Sequence, residues 1–210
     1  MILIERTSVM NFENAIRGAR NPMNSWARMD SSYDDKGAFC FGANDIDLAR
    51  RLARAGSDHR KFLRQIFVSV DITAPLYWWK EFDTYKVGTV ANSTSTMHKI
   101  SAKPFERADF SGDRMSDGAL AVLDSLIDYL EQARLRYVAD KNLADWHDMI
   151  QLLPSSYHQM RTVTLNYEVL INVFYARRSH KLAEWHTFCD AIRALPYAED
   201  LILIREDSEQ

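Results

Sequence analysis

From Gly118 to Leu153 apolar side chains recur at helical spacing with no proline among them, and this stretch sets the terms for the rest of the chain. Leu120, Leu123, Ile127, Leu130, Leu135 and Tyr137 are followed by Trp146, Ile150 and Leu153, and Pro154 breaks the run. So much apolar helical surface must be buried against something. The chain offers 10 Phe, 9 Tyr and 5 Trp against only 7 Gly, which points to a packed, mostly helical interior rather than a glycine-punctuated β-protein.

The flanking sequence makes the class α+β with helix predominating, read as a single domain over residues 1–210 with its helical segment at about 116–195. Residues 2–9 suit a first strand. Residues 10–20 carry Phe12, Ile16 and Ala19 at helical spacing, and Pro22 stops them. Asn21 to Gly42 is polar and reads as a long irregular loop, of the kind that serves a site more often than a core. Asn44 or Asp45 can N-cap a helix over Ile46, Leu48, Ala49, Leu52 and Ala53, ended by Gly56. A short helix from Asp58 would carry Phe62 and Leu63. Ile66 to Ile72 is β-branched and half alternating, a strand, and Pro75 suits the first turn of a helix through Leu76, Trp79, Phe82 and Asp83. Val87 to Ile100 is rich in Ser and Thr and reads mainly as loop. Beyond Pro154 two helices are expected, Ser155 to Ala176 and Lys181 to Leu195, with Leu201 to Ile204 as a closing strand.

Several function classes are excluded at this level. The 26 basic and 29 acidic side chains give a net charge of −3, which does not suit a general nucleic-acid binder. No apolar run approaches the roughly 18 residues that a bilayer-spanning helix needs. The opening Met1-Ile2-Leu3-Ile4-Glu5-Arg6 has no signal-peptide core, so a cytoplasmic setting is expected. Cys40 and Cys189 show neither CxxC nor zinc spacing, and the six histidines form no HExxH or other ligand pattern, so no metal is expected. No GxGxxG, GxSxG or P-loop occurs; phosphate would have to be held by side chains or helix ends.

Two stretches could carry chemistry. Tyr77-Trp78-Trp79-Lys80-Glu81-Phe82-Asp83-Thr84-Tyr85-Lys86 is either an amphipathic helix with core rings and paired charges, or a pocket wall whose rings stack on a planar ligand while Lys86 faces an anion. The hydroxyls of Thr89 to His98 either satisfy their own backbone or donate to a phosphate or a base edge. Asn92-Ser93-Thr94 is also a glycosylation sequon, set aside because nothing else points to secretion. Arg161 and Arg193 lie in segments with aromatic neighbours and read either as salt-bridged surface arginines or as ligand contacts.

Read in order, these pieces resemble the flavin-dependent thymidylate synthase family. That family has a strand, an Ala-Pro opening a helix, a Gln, and then an Arg-His-Arg run leading through Ser, Asn-Glu and Ser to a closing Arg-Tyr. Here Ile66 to Ile72 is the strand and Ala74-Pro75 opens the helix. Glu81 stands at the Gln, Thr84-Tyr85-Lys86 at the Arg-His-Arg, and Thr89 at the first Ser. Ala91-Asn92 takes the Asn-Glu, Thr94 the second Ser and Thr96-Met97 the Arg-Tyr, with no gap from Pro75 to Thr96. His59 falls where the family has a histidine near its folate site. Arg161-Thr162-Val163-Thr164-Leu165-Asn166 and the sequence from Phe188 through Arg193 to Ala198-Glu199 are similar to its later patterns.

The resemblance, which spans roughly residues 44–204, implies a thymidylate synthase-like fold with a central antiparallel sheet and a homotetramer with active sites at subunit contacts. It implies FAD as cofactor, dUMP or a related pyrimidine nucleotide as substrate, and NADPH and methylenetetrahydrofolate as co-substrates. A methylene group would pass by way of the flavin to uracil C5 without a cysteine nucleophile. It places Glu81, Thr94 and Arg193 in catalysis. Thr84, Tyr85, Lys86, Thr89, Asn92 and His59 fall beside the cofactors, and Arg161, Arg193, Glu81 and Thr96 on the nucleotide. The departures are large: only Lys86 keeps a cation of the Arg-His-Arg run, and Thr96 removes a bidentate anion clamp. A homologue that binds nucleotide or flavin without turnover is therefore the second reading, and a helical partner-binding protein the third.

Overall fold

The computed structural model describes residues 2–204. In chain order the elements are β1 (Leu3–Met10), α1 (Phe12–Ala19), β2 (Ser32–Tyr33), β3 (Phe39–Cys40), α2 (Ala43–Arg54), β4 (Phe67–Pro75), α3 (Leu76–Phe82) and β5 (Val90–Ser93). They continue with α4 (Asp117–Asp140), α5 (Leu143–Gln151), β6 (His158–Asn166), α6 (Tyr167–Arg177), α7 (Ala183–Arg193) and α8 (Ala198–Leu201). Four strands make one sheet in the order β1-β4-β6-β5, and β2 pairs antiparallel with β3 as a small hairpin. The class is the expected one, helix with an antiparallel sheet.

The described residues fall into two compact units. One holds residues 2–3, 71–84 and 92–162; the other holds 4–70, 85–91 and 163–204. In the first, the long apolar stripe does what its spacing requires. Leu123, Ile127, Leu130 and Ala133 of α4 recur three or four residues apart, so they share a face and close over Ile100, Phe105, Phe110 and Met149 of α5. Ser116 caps α4 by accepting the Ala119 N–H, and Lys141 ends it in the left-handed conformation. Asn142 then caps α5, so the two helices join through a very short connection.

In the second unit α6 is apolar nearly all round, with Val169, Leu170, Ile171, Val173 and Phe174 buried, as a central helix must be. Its buried Glu168 is offset by the Arg60 guanidinium, which donates to both carboxylate oxygens at 3.1 and 2.9 Å. The Tyr167 hydroxyl donates to the Pro196 carbonyl, and burial pushes its pKa well up. Cys189 is core as well, and burial pushes its thiol up to about 11, which keeps it protonated and inert.

The 21–42 loop is less irregular than expected. Two 3-10 turns and the β2–β3 hairpin are gathered around Asp45, a fully buried carboxylate on α2. Asp45 accepts from Arg20 Nε at 2.7 Å, Ser31 Oγ at 2.6 Å and the backbone N–H groups of Asp30 and Ser31. Burial drives its pKa upward, but those bonds outweigh it and hold the carboxyl below the usual range. Neither Asn44 nor Asp45 is the N-cap of α2. Gly42 holds that position, and Asp30 reaches in to accept the Asn44 and Asp45 N–H groups. A Cβ on Gly42 would overlap Asp30, so the position requires glycine.

Other expectations are corrected. Ser155 to Ala176 is not one helix: His158–Asn166 is β6, and the helix begins only at Tyr167. The run Thr162-Val163-Thr164 is β-branched, and alternate residues Val163 and Leu165 go inward, a period of two that the helix reading overlooked. The helical segment at 116–195 is accordingly interrupted by a strand. Leu201 to Ile204 is not a closing strand; α8 ends there, and Leu201 and Ile202 are consecutive buried residues, a pattern too short to fix a period. Val87 to Ile100 contains β5, and the turn bearing Phe62 and Leu63 is a 3-10 helix over Arg60–Gln65.

Candidate functional site

Sequence-derived site residues occur in both units. In the first unit, α3 places Trp78 and Trp79 almost wholly out of solvent, packed against each other and Phe82. For these two rings the core reading holds and the pocket-wall reading does not. Trp79 also anchors what lies beside it, since its indole N–H donates to the Gln159 carbonyl and the Arg161 guanidinium sits 4.2 Å from its ring centre. Arg161 bonds Asp83 at 2.8 Å and donates from Nε to Gln159 Oε1 at 3.0 Å, so it is a salt-bridged arginine on an aromatic floor. Glu81 and Thr84 belong to this same end of α3, where the Thr84 hydroxyl donates to the Glu81 carbonyl.

Thr94 and Thr96 belong elsewhere in that unit. They line a cleft of about 510 Å³ together with Ser95, Lys99, Lys103 and His158. Met160 and His158 of β6 line it, whereas Gln159 and Arg161 alternate to the opposite face, because successive strand residues point to opposite sides. Arg161 does not line this cleft, but the Gln159 amide links it to the cleft wall, its Oε1 accepting from Arg161 Nε and its Nε2 donating to the Thr94 carbonyl. The cleft wall is held by two bonds from Thr94 to the Met160 carbonyl, N–H at 2.9 Å and hydroxyl at 3.3 Å, and by Gln159 Nε2 on the Thr94 carbonyl. Ser95 Oγ accepts the His98 N–H. Asn92 lies at the end of β5 beside them in sequence and is exposed.

Charge in the cleft is unequally committed. Lys103 is bonded to Asp109, and that bond holds its ammonium above the ordinary value. Lys99 is exposed and, among the described residues, has no ion-pair partner. His158 Nε2 lies 2.8 Å from the Ser111 hydroxyl; burial pushes its pKa down, against weaker pulls from Asp109 and a backbone bond at Ala108. The ring is thus a neutral imidazole at neutral pH. Sequence reasoning missed Lys99, Lys103 and Asp109. Their signal was a pair of lysines four apart just after the hydroxyl-rich stretch.

In the second unit, Tyr85, Lys86 and Thr89 lie on the segment 85–91. The Tyr85 hydroxyl accepts from Arg177 Nε at 2.8 Å, and the Arg177 guanidinium is 5.5 Å from the Tyr85 ring and 4.8 Å from Trp185. Gly88 has φ +78°, and a Cβ there would come within 2.9 Å of the Asn166 side chain, so the segment passes close over the N-cap of α6. Thr89 Oγ1 is buried and, among the described residues, has no hydrogen-bond partner. Lys86 is exposed, as is His59 at the start of the 3-10 turn. Arg193 ends α7, ion-paired with Asp190 at 2.7 Å and 4.9 Å from the Phe174 ring. A second cleft, of about 500 Å³, lies between Phe12, Tyr33, Phe39 and Tyr197 and contains none of the site residues expected from sequence.

Among the described residues no group of three His, Cys, Asp or Glu side chains is placed to hold a metal ion, and no helix is long and apolar enough to cross a membrane.

No family model and no curated protein matches the sequence. Solved structures do match its fold. The flavin-dependent thymidylate synthase ThyX of Helicobacter pylori, complexed with FAD and dUMP, superposes with a TM-score of 0.70 at 16% identity, over 98% of this chain and 99% of that one. A second structure of the Helicobacter pylori enzyme, also with FAD and dUMP, gives 0.68 at 16% identity over 96% of each chain. The UMP/dUMP methylase PolB of Streptomyces cacaoi, bound with 5-Br dUMP, gives 0.60 at 14% identity, over 97% of this chain and 92% of that one. At these identities the likeness is one of fold.

Proposed function

We propose that the chain is a divergent member of the flavin-dependent thymidylate synthase family. In this reading it acts as one domain, binds FAD and a pyrimidine nucleotide, and transfers and reduces a methylene group on dUMP or a related nucleotide. The observation that carries the reading is the likeness of fold over nearly the whole of both chains, and the gap-free spacing from Pro75 to Thr96 is the sequence feature that accompanies it. By fold alone it would be an analogy, and the residues must agree.

They fit a flavin on one point that packing alone does not explain. Thr89 Oγ1 is a buried hydroxyl with no hydrogen-bond partner among the described residues, and it follows the cation Lys86 and the Arg177-clasped Tyr85 on the same segment. An unpartnered buried hydroxyl costs about 1–3 kcal/mol, which a ligand acceptor would recover. Tyr85, Lys86, Thr89, Thr84, Asn92 and His59 would hold the cofactor side, and FAD when bound would supply the redox chemistry. Thr94 and Thr96 would donate hydroxyl protons to the nucleotide, with Glu81 accepting from its base. Arg161 and Arg193 would contact phosphate or base after exchanging their carboxylate partners. NADPH and methylenetetrahydrofolate as co-substrates, a homotetramer and a cytoplasmic setting belong to the same reading.

Incubation with FAD followed by desalting tests it. The expected result is a yellow protein with flavin absorbance at about 450 nm. A colourless protein that also shows no thermal shift with FAD would refute it. The second reading, a nucleotide-binding homologue without turnover, is favoured by one observation: Arg161 and Arg193 are both engaged by aspartates. Stabilisation by dUMP alone, with none added by FAD, would select it.

A further inference from the structure

The cleft of about 500 Å³ beside the β2–β3 hairpin lies wholly in the unit that holds residues 4–70 and 163–204. Its walls come from the end of β1, the start of α1, the hairpin and the turn before α8. Phe12 and Phe39 are nearly parallel, 10° apart with centres at 5.7 Å. Tyr197 stands at 80° to Phe12, and Tyr33 at 76° to Phe39. A flat ring needs about 7 Å between parallel walls, two van der Waals spacings, so none fits between the two phenylalanines. Rings set at right angles around one space suit a rounded group instead. The polar ends of both tyrosines are committed. The Tyr197 hydroxyl accepts the Phe41 N–H at 3.2 Å and donates to the Phe39 carbonyl at 3.1 Å, and the Tyr33 hydroxyl donates to Glu13 Oε2 at 3.1 Å.

Charge decides what such a cage takes. Among the described residues no Lys, Arg or His lines the cleft. Glu13 is exposed beside it, bonded to Tyr33, and has no ion-pair partner among the described residues; Arg17, one turn further along α1, bonds Asn14 instead. The hairpin turn adds Asp34 and Asp35 against one cation, Lys36, so acids outnumber bases around the opening. An anion therefore finds no grip here, whereas a cation meets aromatic rings and a free carboxylate. Tyr33 is 55% exposed, which leaves much of its ring open to an occupant.

We propose that this cleft is an aromatic cage for a small quaternary ammonium compound, with Phe12, Tyr33, Phe39 and Tyr197 around its methyl groups and Glu13 balancing its charge. Tyr33 closes the cage, and its bond to Glu13 sets both the ring and the carboxylate in place. The site needs neither nucleotide nor flavin, so its failure would leave the proposed function untouched.

The full-length protein would be titrated, by calorimetry and by ligand-observed NMR, with choline chloride and with 3,3-dimethylbutan-1-ol, which has the same shape without the charge. Choline is expected to bind at least about tenfold more tightly, the difference being the attraction of the cation to the rings. Tyr33→Leu is expected to lose about tenfold in affinity for choline, and Tyr33→Phe, which keeps the ring, to stay within about threefold of the unaltered protein. Glu13→Gln is expected to weaken choline by about threefold and to leave the alcohol unchanged. Equal affinity for choline and the alcohol, or binding of neither, would overturn the proposal. So would a loss in Tyr33→Phe as large as in Tyr33→Leu, because the ring would then contribute nothing. A peptide carrying trimethyl-lysine that binds at least about tenfold more tightly than choline would overturn the assignment to a free small molecule and make the cleft a docking site for a modified chain.

Discussion

Two stretches of this chain that read as polar loops, residues 21–42 and 87–100, end in different electrostatic states. In the first, the polar groups satisfy one another: Asp45 takes bonds from Arg20, Ser31 and two backbone N–H groups, and Asp30 caps α2. In the second, Thr94 and Ser95 are tied to backbone, but among the described residues Thr89 Oγ1 has no partner, and Thr96 and Lys99 are uncommitted. Polarity in a loop therefore does not mark a site. What marks it is polarity left over after the fold has taken its share.

The sharpest way to break that contrast is at Asp45. Asp45→Ala leaves the Arg20 guanidinium buried without its partner, and chemical denaturation is expected to show a loss of about 3–5 kcal/mol. Gly42→Ala, which pushes a methyl group into Asp30, is expected to cost about 1–3 kcal/mol in the same assay. Thr96→Ala in the second stretch is expected to change stability by less than about 0.5 kcal/mol while weakening dUMP binding. If Thr96→Ala destabilises like Gly42→Ala, both stretches are structural and the distinction fails.

Protonation separates the regions along another axis. His158 has a folded pKa depressed by burial below its ordinary 6.5, so the unfolded chain takes up the proton first as pH falls. Its contribution is fully present above about 6.5 and is lost as pH falls from there toward the folded value. Asp45 behaves as a depressed carboxylate, its contribution present above the unfolded carboxylate range and lost only in more acid solution. Stability measured against pH is expected to fall in two separated steps, the upper one absent in His158→Gln. Arg193→Ala gives the smallest stability change, about 0.5 kcal/mol or less for an exposed pair of one helical turn, with any larger effect confined to ligand binding.

The elements with a long, clear period were legible in the sequence. The α4 stripe through Leu123, Ile127 and Leu130 and the β4 strand ahead of Pro75 are where the spacing puts them. The β6 strand was lost because Thr162 to Asn166 runs directly into the apolar α6, and the period changes from two to 3.6 without a glycine or proline between them. Of the residues expected from sequence to form a site, Thr94 and Thr96 line one cleft. That Arg161 lies on the other face of β6 and reaches Thr94 only through Gln159 depends on the parity of the strand, which becomes visible only once the strand is recognised. Lys99 and Lys103 drew no attention because a lysine is ordinarily a solvated surface residue, and only the fold brings these two against the hydroxyls.

The five tryptophans are distributed so that each unit carries its own optical reporter. Trp78, Trp79 and Trp146 lie in one and Trp26 and Trp185 in the other, with Trp78, Trp79 and Trp185 almost dry. Replacing Trp26 and Trp185 by phenylalanine would leave emission that follows only the unit holding α4 and α5. Time-resolved fluorescence could then show whether the two units come apart together or in sequence, which equilibrium stability alone does not reveal.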